Sequence, residues 1–222
     1  MSSHPDMLHR RSIRLKGYDY AQSGAYFVTL CAHQRACLFG EIVVGARRAV
    51  PDSSRRAVPD LGTPEMILNG FGNIVVLEWL KTATIHSRIE LGEFVVMPNH
   101  FHGILILHND TGTARRAPTM ERFGKPIAGT VPTIIRSFKS AVTKCVNEIR
   151  NTPGVSIWQR NYYEHIIRND ADHSNIAEYI VNNPLRWAED SLHPDAVGAR
   201  RAVPGSTGRA VPDLSRHVAA II

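Results

Sequence analysis

Apolar positions along the chain fall into short β-prone runs and longer helical stripes. Residues 26–31 form a β-branched and aromatic run that predicts a first strand, with 38–44 as its partner or hairpin extension. Behind Pro64, residues Ile67, Phe71, Ile74 and Leu77 recur at helical spacing, which predicts an amphipathic helix over roughly 64–87. Residues 93–97 and 101–107 read as two further strands, separated by Pro98 and Asn99, where proline cannot donate to a ladder. A second helix carries Ile134, Phe138, Val142, Cys145, Val146 and Ile149 along one side, with Arg136, Lys139 and Lys144 elsewhere. Residues 155–163 are expected to supply a last strand. A short helix follows, opened by the capping types Asp172, Ser174 and Asn175 and closed before Pro184. The order strand, helix, strand, strand, helix, strand predicts an α+β fold of the ferredoxin-like split βαβ type. That fold is an antiparallel sheet with helices on one face, to which a C-terminal helix is added.

Two elements of this pattern carry candidate chemistry. His100 and His102 lie one residue apart in a β-prone run, so their side chains share a strand face while Phe101 points to the other. Two imidazoles converging on one point suit Zn, Mn, Fe or Ni, and with added oxygen ligands a harder divalent ion. The plainer alternative is a pair of polar residues on a solvated strand face. On the late helix, Tyr179 and Asn183 are four residues apart, so a phenol and an amide oxygen stack on one helical face. The plainer alternative there is a core tyrosine and a capping asparagine.

The chain has 222 residues, of which 43% are hydrophobic, enough for one sizeable core, and a single domain spanning 1–222 is expected. No run reaches the ~18 apolar residues of a membrane span, and the N-terminus lacks a charged segment followed by an apolar one. Cys31, Cys37 and Cys145 form no CxxC pair. Together these features predict a cytoplasmic protein with no membrane contact. The net charge of +6 favours an acidic partner such as nucleic acid. Its most telling cluster is Arg10, Arg11, Arg14 and Lys16 beside Tyr18 and Tyr20, cations for phosphates with rings for stacking on single-stranded or hairpin DNA. A solvated basic tail is the alternative.

A peptide also recurs. Gly45-Ala46-Arg47-Arg48-Ala49-Val50-Pro51 is echoed near 55–60, 114–118, 198–204 and 209–213, always between predicted elements or in the tail. Irregular spacing and the absence of an apolar period exclude a solenoid. These stretches therefore read as exposed insertions near 45–62 and 112–120 and a flexible tail near 190–222. One back-translation of the heptapeptide, GGG GCA CGG CGC GCC GTG CCC, is self-complementary once its first base is dropped.

Four segments, taken in order, resemble the REP-associated tyrosine transposases, a branch of the single-tyrosine HUH nucleases. They are the basic and aromatic opening over 11–30, His100-Phe101-His102, the run from Trp158 through Arg160, Tyr162, Tyr163 and His165 to Arg168, and Tyr179-Ile180-Val181-Asn182-Asn183-Pro184. The resemblance covers roughly 10–187, insertions aside. It implies the ferredoxin-like fold, a Mg or Mn ion held by His100, His102 and Asn183, and Tyr179 as the nucleophile. The implied activity is cleavage and transfer of a DNA strand at palindromic repeat hairpins through a 5′-phosphotyrosine. Arg10, Arg11, Arg14, Lys16, Tyr18, Arg160 and Arg168 are the expected DNA contacts, and a monomer is expected with a dimer as the alternative. Tyr162 and Tyr163 remain rival nucleophiles, and a hairpin-binding protein that does not cut or a hydrolase using water are rival functions.

Overall fold

The computed structural model describes residues 18–46, 61–109 and 127–196. Strand β1 (Gly24–Cys31) is followed by β2 (Gly40–Ala46), β3 (Leu61–Leu68) and helix α1 (Gly70–Ile85). Strands β4 (Ile89–Met97) and β5 (His100–Leu107), helix α2 (Val131–Arg150), strand β6 (Tyr163–Ile167) and helix α3 (Asp170–Val181) complete the set, and a 3-10 segment spans Pro184–Glu189. Four strands form one antiparallel sheet in the order β4-β5-β1-β6, the ferredoxin-like arrangement that the element order predicts. Among the described residues, no helix is long and apolar enough to cross a membrane.

Strand alternation divides this sheet into two faces. Tyr26, Val28 and Leu30 of β1 and Phe101 and Leu105 of β5 meet Val75 and Trp79 of α1 and Ile134, Ile135, Phe138 and Val142 of α2. Gly103 lies on that same face of β5, and a methyl there would come 2.8–2.9 Å from the rings of Phe101 and Trp79. Only a bare backbone lets α1 press this closely on the strand that bears the histidines. The opposite face presents Phe27, Cys31 and Ile104, covered by Ile176 and Ile180 of α3 and by Leu192 beyond it. Thus α1 and α2 cover one side and the late helix the other.

Two expected regions are corrected. The helix expected from 64 begins at Gly70. Residues 61–68 are a strand paired with β2, so the predicted partner of β1 pairs elsewhere, in a separate two-stranded ribbon. Pro64 is tolerated because a ribbon has free edges on both sides, and Asn69 stops the strand by capping α1, its side-chain oxygen accepting from the amides of Phe71 and Gly72. The last strand is Tyr163–Ile167 rather than 155–163. Residues 155–162 are irregular and join β1 through the Ala32 and Trp158 bridge and the bond from Gln159 N–H to the Cys31 carbonyl. The plainer alternative for the histidine pair also fails: the histidine-bearing face is buried, not solvated.

Most of the insertions near 45–62 and 112–120, and the tail beyond 196, lie outside the described residues, as do Arg10, Arg11, Arg14 and Lys16. Of the segment read as tail, the described part opens with Asp190 and Leu192, both buried.

Candidate metal and nucleophile site

β5 places His100 and His102 side by side, with ring centroids 4.6 Å apart and no exposed surface on either. Phe27 of β1 stacks on His102 at 5.4 Å. Burial pushes the pKa of His100 down to about 4, although Asp190 and Asn183 both favour its charged form. Burial pushes His102 well down too, helped by the neighbouring His100. Both rings are therefore neutral near pH 7, the state in which imidazole is a ligand.

The partners of these rings decide which nitrogen is free. The turn residue Asn99 donates its amide N–H groups to the carbonyls of Leu192 at 2.8 Å and Arg35 at 3.2 Å. That orientation leaves its amide oxygen 2.8 Å from Nδ1 of His100, which must donate to it. Nε2 of His100 then carries the lone pair. It has no hydrogen-bond partner. Nδ1 of His102 lies 2.8 Å from the Thr29 hydroxyl, across the β1–β5 ladder. The Thr29 hydroxyl can accept a proton from Nδ1 or donate to it, and Nε2 of His102 faces the Tyr179 hydroxyl at 3.3 Å. An outer partner that fixes a ligand tautomer, as Asn99 does for His100, characterises metal-binding histidines.

Two oxygens complete the constellation. Asn183, 2% exposed, buries an amide oxygen that lacks a hydrogen-bond partner. Asp190, missed by the sequence reading, places Oδ2 at 3.7 Å from Nε2 of His100, while Leu192 N–H donates to its Oδ1 at 2.7 Å. His100, His102 and Asp190 can each offer one ligand atom within 4.8 Å of the others. Buried polar atoms are normally paired. Here Nε2 of His100, Oδ1 of Asn183 and Oδ2 of Asp190 all lack a hydrogen-bond partner among the described residues, as expected of a donor set shaped for a cation. Two nitrogens with an amide and a carboxylate oxygen fit a borderline-to-hard divalent ion.

Tyr179 reaches this set because α3 packs on β4 and β5, its ring meeting His102 at 5.2 Å and Phe27 at 6.2 Å. Of the rival tyrosines, Tyr163 packs edge-on against Phe27 at 6.2 Å and Tyr162 packs with the core on the helix-covered side. Arg160 and Arg168 are exposed. Tyr18 is half-buried, its ring edge-on to Tyr20 at 4.9 Å and its hydroxyl 3.3 Å from that of Tyr26. Asp172 ties the start of α3 to β6, accepting from the Arg168 amide and pairing with His165 at 3.0 Å.

An uncharacterized protein of Haemophilus influenzae is 38% identical to this chain over 191 residues, which is 84% of this chain and 94% of the relative. A second H. influenzae protein, provisionally described as a REP-associated tyrosine transposase, is 28% identical over 126 residues, 52% of this chain and 65% of its own length. The chain and the first of these relatives belong to one family. A solved REP-associated tyrosine transposase bound to a REP hairpin is 18% identical with a TM-score of 0.46, covering 95% of this chain and 96% of its own. No family profile matches the chain. The residues hidden from sequence reasoning are Asp190, Asn99 and Thr29. Asp190 sits in a segment without periodicity, and Asn99 and Thr29 act through contacts that only the folded sheet creates.

Proposed function

We propose that the chain cuts and transfers single strands of hairpin DNA, with Tyr179 as the nucleophile. The observation that supports this best is the Tyr179 hydroxyl, 3.3 Å from Nε2 of His102, beside three buried donor atoms without partners. His100, His102, Asn183 and Asp190 would hold the ion, and Mg or Mn there would polarise a phosphoryl oxygen and offset its developing charge. The Tyr179 oxygen forms a bond to phosphorus as the bond from phosphorus to the 3′ oxygen breaks. The phenolic proton is lost to solvent, and the departing 3′ oxygen takes one up. The 5′-phosphotyrosine keeps the bond energy, so a 3′-hydroxyl can attack it later and rejoin strands without ATP. The apolar shell of Phe27, Ile176 and Ile180 limits water, which favours transfer over hydrolysis.

The remaining assignments follow this reading. Arg160, Arg168 and the N-terminal Arg10, Arg11, Arg14, Lys16 and Tyr18 contact DNA. The chain is one HUH domain carrying insertions, and it works as a cytoplasmic monomer. A labelled single-stranded hairpin incubated with Mn and run on a denaturing gel tests the chemistry. The expected product is a slow covalent band that Tyr179→Phe abolishes while hairpin binding survives, and that Tyr162→Phe and Tyr163→Phe keep. Free fragments without adduct would mean a hydrolase, and intact DNA a binder. An adduct persisting in Tyr179→Phe would move the nucleophile elsewhere.

A further inference from the structure

The peptide repeats belong to a longer duplication. Residues 44–62 recur as 197–215, identical at every position but four: Asp52 against Gly205, Ser54 against Thr207, Arg55 against Gly208 and Gly62 against Ser215. Each of these exchanges is reachable by one base change. That pattern is expected of a copied DNA element drifting by point mutation, since selection on a linker would keep charge or flexibility rather than residue order. The fold indicates why the gene tolerated the copy. Val44 and Leu61 lie on the two strands of the β2–β3 ribbon, where Ala46 pairs with Leu61 and Val44 with Pro64. The block leaves on one strand and returns beside it on the other. Inserting chain at such a point adds only a slowly growing loop entropy and leaves the four-stranded sheet and its site untouched.

The heptapeptide at its head has a further property. Gly, Ala, Arg, Val and Pro can all be written with fourfold-degenerate codons, so the peptide allows free third bases. In the self-complementary register, first bases pair with first bases and second bases with third bases. Degeneracy can satisfy the second kind of pair but not the first, once arginine is written CGN. The first-base pairs are Ala46 with Pro51, Arg47 with Val50 and Arg48 with Ala49, and all are complementary, G with C or C with G. The same heptapeptide stands intact at 198–204. The second unit of the block keeps the inner pairs, Arg56 with Ala57 and Arg55 with Val58, and loses the outer one at Ser54. Loss of the outer pair with the centre retained is the pattern expected of a fold-back decaying from its ends.

We infer that these blocks are translated copies of the fold-back DNA on which this chain acts, so that its own gene carries its substrate. This rests on the proposed function, and it adds the sequence of the hairpin.

The test begins with the codons for 44–62 and 197–215. CGN arginine codons and complementary third bases are expected, and AGA or AGG at 47 and 48, or unpaired third bases, would overturn the inference. The coding-strand oligonucleotide for 44–62 is then compared with one recoded synonymously so that it encodes the same peptide without pairing. Full-length Tyr179→Phe chain should shift the native oligonucleotide at least about tenfold more tightly than the recoded one. Wild-type chain with Mn should form a covalent adduct with the native oligonucleotide alone. Equal affinity for the two, or binding to neither, would overturn the inference. Adducts with other genomic hairpins but not with this one would sink the inference and leave the Tyr179 chemistry standing. Selective binding without any adduct would keep the substrate and remove the chemistry.

Discussion

The two faces of β5 are built on opposite terms. Phe101, Gly103 and Leu105 meet α1 and α2 with their apolar surface buried and a Cβ omitted where the rings crowd. His100 and His102, on the same strand, are equally buried but lie among oxygen and nitrogen atoms without hydrogen-bond partners. One face repays burial with contacts, while the other holds polar groups that a cation would satisfy. Stability is therefore expected to reside on the face covered by α1 and α2, and function on the face covered by α3.

The largest effect should come from the apolar face. Phe101→Ala removes a ring packed between Trp79, Phe94 and Phe138 and should lower stability by about 3–5 kcal/mol, read as a loss of Tm. A smaller change than one kcal/mol would mean that this face is not the main support.

Next is acid sensitivity of the metal-free protein. The folded chain holds His100 at about 4, below the value of 6.5 that an unfolded chain restores, so the unfolded state binds the proton first. Stability is fully present above pH 6.5 and falls as pH drops from there towards 4. The loss is on the order of 3 kcal/mol from this group, with His102 acting in the same direction. Urea titrations at pH 7 and pH 5 measure it, and a flat profile would show that the rings are hydrated.

Asp190→Asn sharpens the contrast between the faces. Neutralising a buried carboxylate whose Oδ2 lacks a hydrogen-bond partner, while Oδ1 can still accept from Leu192 N–H, should leave the metal-free Tm unchanged or raised. It should also abolish most of the stabilisation by Mn, which for wild type at a hundredfold excess over Kd is about 2.7 kcal/mol. A variant that keeps the full Mn shift would remove Asp190 from the donor set. The smallest expected effect is Thr29→Val, which leaves Nδ1 of His102 without its partner. A stability loss of about 1–2 kcal/mol and a roughly tenfold weaker Mn response should follow, both measurable by thermal shift.

Much of this molecule is legible along the chain. Strict alternation through His100, Phe101 and His102 fixes which residues share a face, because a strand has a period of two whatever surrounds it. Helical spacing does the same for the apolar stripe of α2, whereas α3 ends at Val181, so Asn183, expected on its face, lies in the turn beyond it. Local pattern misleads where two readings compete, as at 64–69. There Ile67, Phe71 and Ile74 mimic a helical stripe, but Asn69 caps the helix and Pro64 finds room at a ribbon edge.

Tertiary structure alone decides what the histidines face. Whether a polar pair is solvated or buried depends on the segment that covers it, here α3 and the buried Asp190 and Leu192 beyond it. Asn99, Thr29 and Asp190 acquire their roles from groups far away along the chain, since Thr29 meets His102 across a ladder and Asn99 meets Leu192 across the fold. Such contacts have no sequence period, because they arise from how elements pack rather than from how residues repeat.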